Sequence, residues 1–151
     1  MGGGHLWVTN EAGNSVTEIN PSSGAWIATF NAATDGFRRP TAITSDGPYL
    51  FVANAGGSVS ELRASNGAFI RSVSGGRYRF VDPVAITSAG SLILVLNAGR
   101  PSAAGASTGS ITEIRAGTGS LVRTVSGPSF AFADPAMVSR FLIASARLPR
   151  K

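Results

Sequence analysis

The chain has no cysteine, a single histidine (His5), a single lysine (Lys151) and only eight acidic residues among 151. The missing cysteines exclude a disulfide framework. Side-chain metal sites need clustered histidine, cysteine or carboxylate, and no acids here fall at calcium-loop spacing, so neither a metal nor a cofactor is expected. Long apolar runs are also missing: none is longer than Leu92–Leu96, the length of one strand. A membrane-spanning helix needs about 20 apolar residues, so no membrane partner is expected. Met1-Gly2-Gly3-Gly4-His5 lacks a basic region followed by an apolar stretch, so no signal peptide is expected. Charge is scarce, at 14% of residues against roughly 25% in ordinary domains.

What the chain does have is 43% hydrophobic residues and 19 glycines, with abundant Ser, Thr and Asn. Disorder needs the opposite balance, and many short strands joined by Gly-rich turns fit better. The length suits one domain, 1–151, with a real core. The net charge of +5 owes much to Arg140, Arg147, Arg150 and Lys151 in an off-pattern basic tail, 140–151. The other arginines are scattered along the chain, whereas a nucleic-acid reader gathers them on one face or helix, so no nucleic-acid partner is expected.

Self-similarity organises the rest. Leu6-Trp7-Val8-Thr9-Asn10, Leu50-Phe51-Val52-Ala53-Asn54 and Ile93-Leu94-Val95-Leu96-Asn97 align, their asparagines 44 and 43 residues apart. After a turn come Ser15–Ile19, Ser58–Leu62 and Ser110–Ile114, then Ala25–Phe30, Ala68–Val73 and Ser120–Val125. A longer loop leads to segments beginning at Pro40, Pro83 and Pro135, each preceded three positions earlier by Phe37, Phe80 or Phe132. Each piece is short, β-branched or aromatic and bounded by turn residues, and so reads as a strand; the Thr-Glu-Ile pieces read as half-buried. Four strands in about 43 residues match a β-propeller blade. The expected fold is therefore all-β, with three four-stranded blade repeats, approximately 5–45, 46–88 and 89–139, and a Gly/Ala/Ser-rich surface insertion near 100–108.

Trp7-Val8-Thr9-Asn10 followed by Asn14-Ser15-Val16-Thr17-Glu18-Ile19 resembles the YVTN and NHL class of bacterial propeller repeats. The resemblance covers nearly the whole chain and implies a propeller used as a generic binding platform or, occasionally, as a lyase or hydrolase. No active-site motif of a particular enzyme is matched.

If strands a to d run from the ring axis outwards, the Pro-initiated segments are strands a and the chain begins at strand b. Three a, c and d strands are counted, with three or four b strands depending on Phe141–Ala146. Three blades are too few for a ring, since natural rings use about four to eight. A homodimer giving a six-bladed ring is the economical closure, with a trimer, an excised fragment or a different completing polypeptide as rivals. The seam would involve His5, Leu6, Trp7 and Val8 of one chain with Pro135, Met137, Val138 and Phe141 of the other.

In a propeller the b–c and d–a loops share one face, where ligands sit. Asn10, Asn54 and Asn97 end the b strands; asparagine suits turns, and a polar ring at the channel mouth is the functional alternative. Glu11 and Arg100 adjoin two of them. The d–a loops carry Arg38, Arg39, Arg77, Tyr78 and Arg79, a guanidinium–aromatic mix suited to acidic or sugar-like ligands. The recurring Glu18, Glu61 and Glu113 read as structural or surface-facing, with a ring of carboxylates on the blade flank as the alternative. His5 has no evident partner nearby in sequence. The Gly-rich stretches are turns rather than phosphate cradles. The leading reading is a non-enzymatic scaffold for a peptide, protein or polysaccharide. The alternatives are a lyase or hydrolase with a site assembled across the seam, which a pocket holding His5 and a carboxylate would revive, and a partial propeller with no retained ligand function.

Overall fold

The structure, a computed structural model, describes residues 4–31, 35–100 and 108–136. The strands are β1 (Leu6–Asn10), β2 (Ser15–Ile19), β3 (Trp26–Asn31), β4 (Pro40–Asp46), β5 (Tyr49–Asn54), β6 (Ser58–Arg63), β7 (Phe69–Ser74), β8 (Pro83–Ala89), β9 (Leu92–Asn97), β10 (Ser110–Arg115) and β11 (Leu121–Ser126). They form three antiparallel sheets in sequence order: β1-β2-β3, β4-β5-β6-β7 and β8-β9-β10-β11. The expected four-stranded unit is present in the second and third blades. The first lacks its inner strand among the described residues, so one edge of β1 has no partner there. Met137, Val138, Phe141, most of the third inner segment, insertion residues 101–107 and the tail lie outside the described residues.

The outer strands begin one residue later than expected. Ala25, Ala68 and Ser120 instead close the preceding turn, their carbonyls accepting from the N–H groups of Asn20, Arg63 and Arg115 at 2.9 Å each. The register also slips at Glu18/Ile19, Glu61/Leu62 and Glu113/Ile114, which places this turn at a bulge in every blade. The d–a loops are not wholly irregular. Gly76–Tyr78 and Pro128–Phe130 form single 3-10 turns, the second started by a proline whose missing N–H costs nothing there.

Packing follows from the alternation of side chains across each strand. Leu50, Val52 and Leu62 leave one face of the second blade and pack with Val16 and Phe37, joined by Trp7 and Phe30 of the first. Phe51, Ala53, Val59 and Val73 leave the opposite face and meet Ile93, Val95 and Ile114 of the third. A middle blade therefore buries both faces. This corrects the half-buried reading of the Thr-Glu-Ile type strands: in β6, Ser60 and Glu61 are as buried as Val59 and Leu62. Burial of such groups is tolerated only when their hydrogen bonds are made.

Candidate functional site at the loop mouth

Polar ladders hold the end of each blade where the b–c and d–a loops meet. The Asn54 side chain is fully buried, with Nδ2 facing Ser58 Oγ at 3.2 Å, Ser60 Oγ at 3.1 Å and the carbonyls of Val52 and Ser58. Its Oδ1 accepts the Arg38 N–H at 3.3 Å. Asn97 Nδ2 repeats these contacts with Ser110 Oγ (3.2 Å) and Thr112 Oγ1 (3.1 Å), whereas its Oδ1 is buried without a partner among the described residues. Asn10 donates to Ser15 Oγ (3.2 Å) and Thr17 Oγ1 (2.9 Å) and is only half-buried. Asn54 and Asn97 are therefore not exposed groups of a ligand ring: they lie beneath the surface, their amide N–H groups committed to the backbone and hydroxyls of their own blade. Tyr78 is likewise removed from the binding set, because its ring is buried and stacks on Phe80 with centroids 5.4 Å apart.

The loops interlock over these ladders. Ala55 and Gly56 donate to the carbonyls of Arg39 (2.9 Å) and Arg38 (3.0 Å), Ala98 and Gly99 to those of Asp82 and Val81 (3.0 Å each), and Gly109 to that of Phe132 (2.9 Å). This pairing places Arg39, Asp82 and Asp134 in the left-handed region, at φ 54°, 52° and 45°. Aspartate tolerates that conformation, whereas for arginine it costs roughly 1–2 kcal/mol. Arg79 adopts it too, at φ 52°.

The remaining sequence candidates come together on this face. Arg39 extends from its strained position to Glu11 Oε1, 2.7 Å away, with both side chains largely in solvent. Arg77 lies 4.9 Å from the Tyr78 ring centroid and donates to its hydroxyl at 3.0 Å. A shallow hollow of about 390 Å³ is lined by Arg79, Arg100, Gly99 and Ser110. An adjoining one of about 310 Å³ is lined by Arg39, Gly56, Asp82 and Arg100. Val81 forms part of both walls. Exposed Arg38, Arg39, Arg77, Arg79 and Arg100 outnumber exposed Glu11, Asp82 and Asp134, so the mouth carries excess positive charge.

The recurring glutamates lie elsewhere, inside the blades. Glu61 is 2% exposed and takes Nε and Nη2 of Arg71 at 2.6 Å each. Glu113 pairs with Arg123 at 2.8 Å, which holds the Arg123 guanidinium above its ordinary pKa, first through the hydrogen bond and then through the charge. Each pair joins directly opposed residues of strands c and d. The sequence reading missed these arginines, although their shared repeat position was available as a signal. In the first blade Ala28 stands opposite Glu18, and His5 Nδ1 contacts Glu18 Oε1 instead. This corrects the expectation that His5 has no partner. The contact takes the place of an Arg–Glu pair and is remote from the hollows at the mouth.

No protein-family model matches the chain, and neither does any curated protein sequence. Solved structures do resemble it. Hydrazine synthase of Kuenenia stuttgartiensis superposes with TM-score 0.71 at 23% identity, over 89% of this chain and 35% of that one. The RRP9 WD40 repeats give 0.66 at 14%, over 82% and 36%. A chain of a nidogen/laminin complex gives 0.66 at 13%, over 89% and 46%. The chain thus spans between a third and a half of these proteins' lengths. At such identities the likeness shows the fold alone, and that fold is a β-propeller.

Proposed function

We propose that this chain is a non-enzymatic binding propeller whose loop mouth takes an acidic peptide, protein segment or polysaccharide. The observation that carries the reading is the set Arg39, Arg79 and Arg100 around two adjoining hollows, two of them held at left-handed backbone positions. Left-handed strain at a non-glycine residue of an exposed mouth is a reason to suspect function. Guanidinium groups bind carboxylates in two-pronged fashion and keep their charge at any physiological pH. The His5–Glu18 pair favours no lyase or hydrolase, because it lines neither hollow and occupies a position that blade packing uses in every repeat.

On this reading the repeat is of the bacterial YVTN/NHL kind, and self-assembly of two chains completes a six-bladed ring around the mouth. The test is titration of labelled polygalacturonate and poly-glutamate against neutral dextran, followed by fluorescence anisotropy at two salt concentrations. The acidic polymers should bind, more weakly at high salt, and Arg79→Ser with Arg100→Ser should abolish it. Equal binding of dextran, or none of either acid, would overturn the reading.

A further inference from the structure

The open face of the first blade carries the same chemistry that the other blades bury. Leu6 is 49% exposed, whereas its repeat equivalents Leu50 and Ile93 are 3% and 0%. Val8 is 39% exposed, against 0% for both Val52 and Val95. In the second and third blades this face is covered by the preceding blade. The opposite face of the third blade offers the cover: Leu94, Ile111 and Val125 are left half-buried there, while their equivalents Phe51, Val59 and Val73 are buried against the next blade.

The glycine of the c–d turn specifies how such faces meet. A Cβ at Gly67 would collide with the Phe30 ring, and one at Gly119 would lie 2.7 Å from Val73 Cγ2. Each glycine therefore receives a d-strand side chain of the preceding blade. Gly24 is the same position in the first blade, at φ 70°, and a Cβ there would meet nothing within 4 Å among the described residues. A second fastener joins the second blade to the third. Beyond its bond to Glu61, Arg71 donates through Nη2 to the Ala116 carbonyl of the next blade at 3.2 Å. Arg123 is held by Glu113 in the same way but is 66% exposed, against 32% for Arg71. The residue that corresponds to Ala116 in the first blade is Pro21, which has a carbonyl to accept.

We propose that a second copy of this chain seats its third blade on the first blade of its partner, with Val125 over Gly24 and Arg123 donating to the Pro21 carbonyl. This rests on the self-assembly reading above and names its surface. The same contact made twice about a two-fold axis closes at six blades, within the natural range, whereas three copies would give nine.

Light scattering over a dilution series of the full chain should give twice 15.4 kDa. Leu6→Asp, at a position already exposed in one chain, should halve that mass while leaving the far-ultraviolet circular dichroism unchanged. Because the chain has no cysteine, a mixture of Gly24→Cys and Val125→Cys chains should form a disulfide-linked dimer that neither forms alone. A dimer that survives Leu6→Asp and gives no such crosslink would overturn this surface but leave self-assembly standing. A monomer at every concentration would overturn both, and mass that grows without limit would overturn the closed ring.

Discussion

Asn54→Ala is the sharpest test of whether the b-strand asparagines are structural. The amide has two hydrogens to share among four acceptors at 3.1–3.4 Å, and its oxygen accepts the Arg38 N–H. Three bonds at roughly 0.5–1.5 kcal/mol each give an expected loss of about 3 kcal/mol, because water cannot replace them in a fully buried site. Asn10→Ala is the internal control: it occupies the same repeat position, but it makes two bonds and is half-buried. Solvent would compensate there, and about 1 kcal/mol is expected. Urea denaturation at 25 °C, with equal slopes for the two variants, measures the difference of about 2 kcal/mol. In a thermal melt the Asn54 variant should fall by about 6–12 °C, at 2–4 °C per kcal/mol for a chain of this size. Equal losses for the two variants would refute the argument from burial. An Asn54 variant of normal stability that no longer bound acidic polymers would restore the residue to the binding set.

Gly67→Ala should cost about 2–4 kcal/mol in denaturant midpoint, from left-handed strain at φ 67° together with overpacking against Phe30. Gly24→Ala, with the same φ strain and no neighbour, should cost about 1 kcal/mol in the isolated chain. His5→Ala should lose about 1–3 kcal/mol by stranding the buried Glu18 carboxylate. Adding Glu18→Gln to His5→Ala should recover part of that loss, and a double variant that loses the sum of the two singles would show that the contact is worth nothing. Arg39→Gly should change stability by no more than about 1 kcal/mol, because relieved strain offsets the lost exposed pair with Glu11, yet it should weaken polymer binding.

The strands and their order were legible because each blade repeats one alternation of apolar residues between Gly- and Asn-rich turns. What the sequence hid was burial on the second face. Alternation along Ser58–Leu62 does not reveal that Glu61, beside Val59 on one face, and Ser60, beside Leu62 on the other, are both covered by neighbouring blades. That cover comes from residues far along the chain, such as Ala116, whose carbonyl accepts from Arg71. The same limit turned Asn54, Asn97 and Tyr78 into ligand candidates: turn-like composition marks the end of a strand, while the depth of that end depends on the loop folded over it. His5 was misread for a related reason. Its partner, 13 residues on, becomes adjacent only through the β1–β2 register that sets Trp7 opposite Glu18.

Comparing the repeats with one another separates architecture from function. Positions filled alike in every copy serve the blades: the c-strand glutamates hold a partner within their own blade, and the c–d glycines Gly67 and Gly119 leave room for a side chain of the preceding blade. The mouth arginines obey no such rule. Arg39 stands where the other copies have Asp82 and Asp134; Arg79 stands where they have Gly36 and Ala131. Blade packing therefore does not require either arginine, and the left-handed backbone at both positions favours the smaller or shorter residues found in the other copies. Side chains that cost stability, differ from their repeat equivalents and still gather the same charge at one mouth are held there by something other than the fold. On the proposed reading a ligand carrying negative charge supplies that reason, and the Arg39→Gly variant separates the two contributions in one molecule.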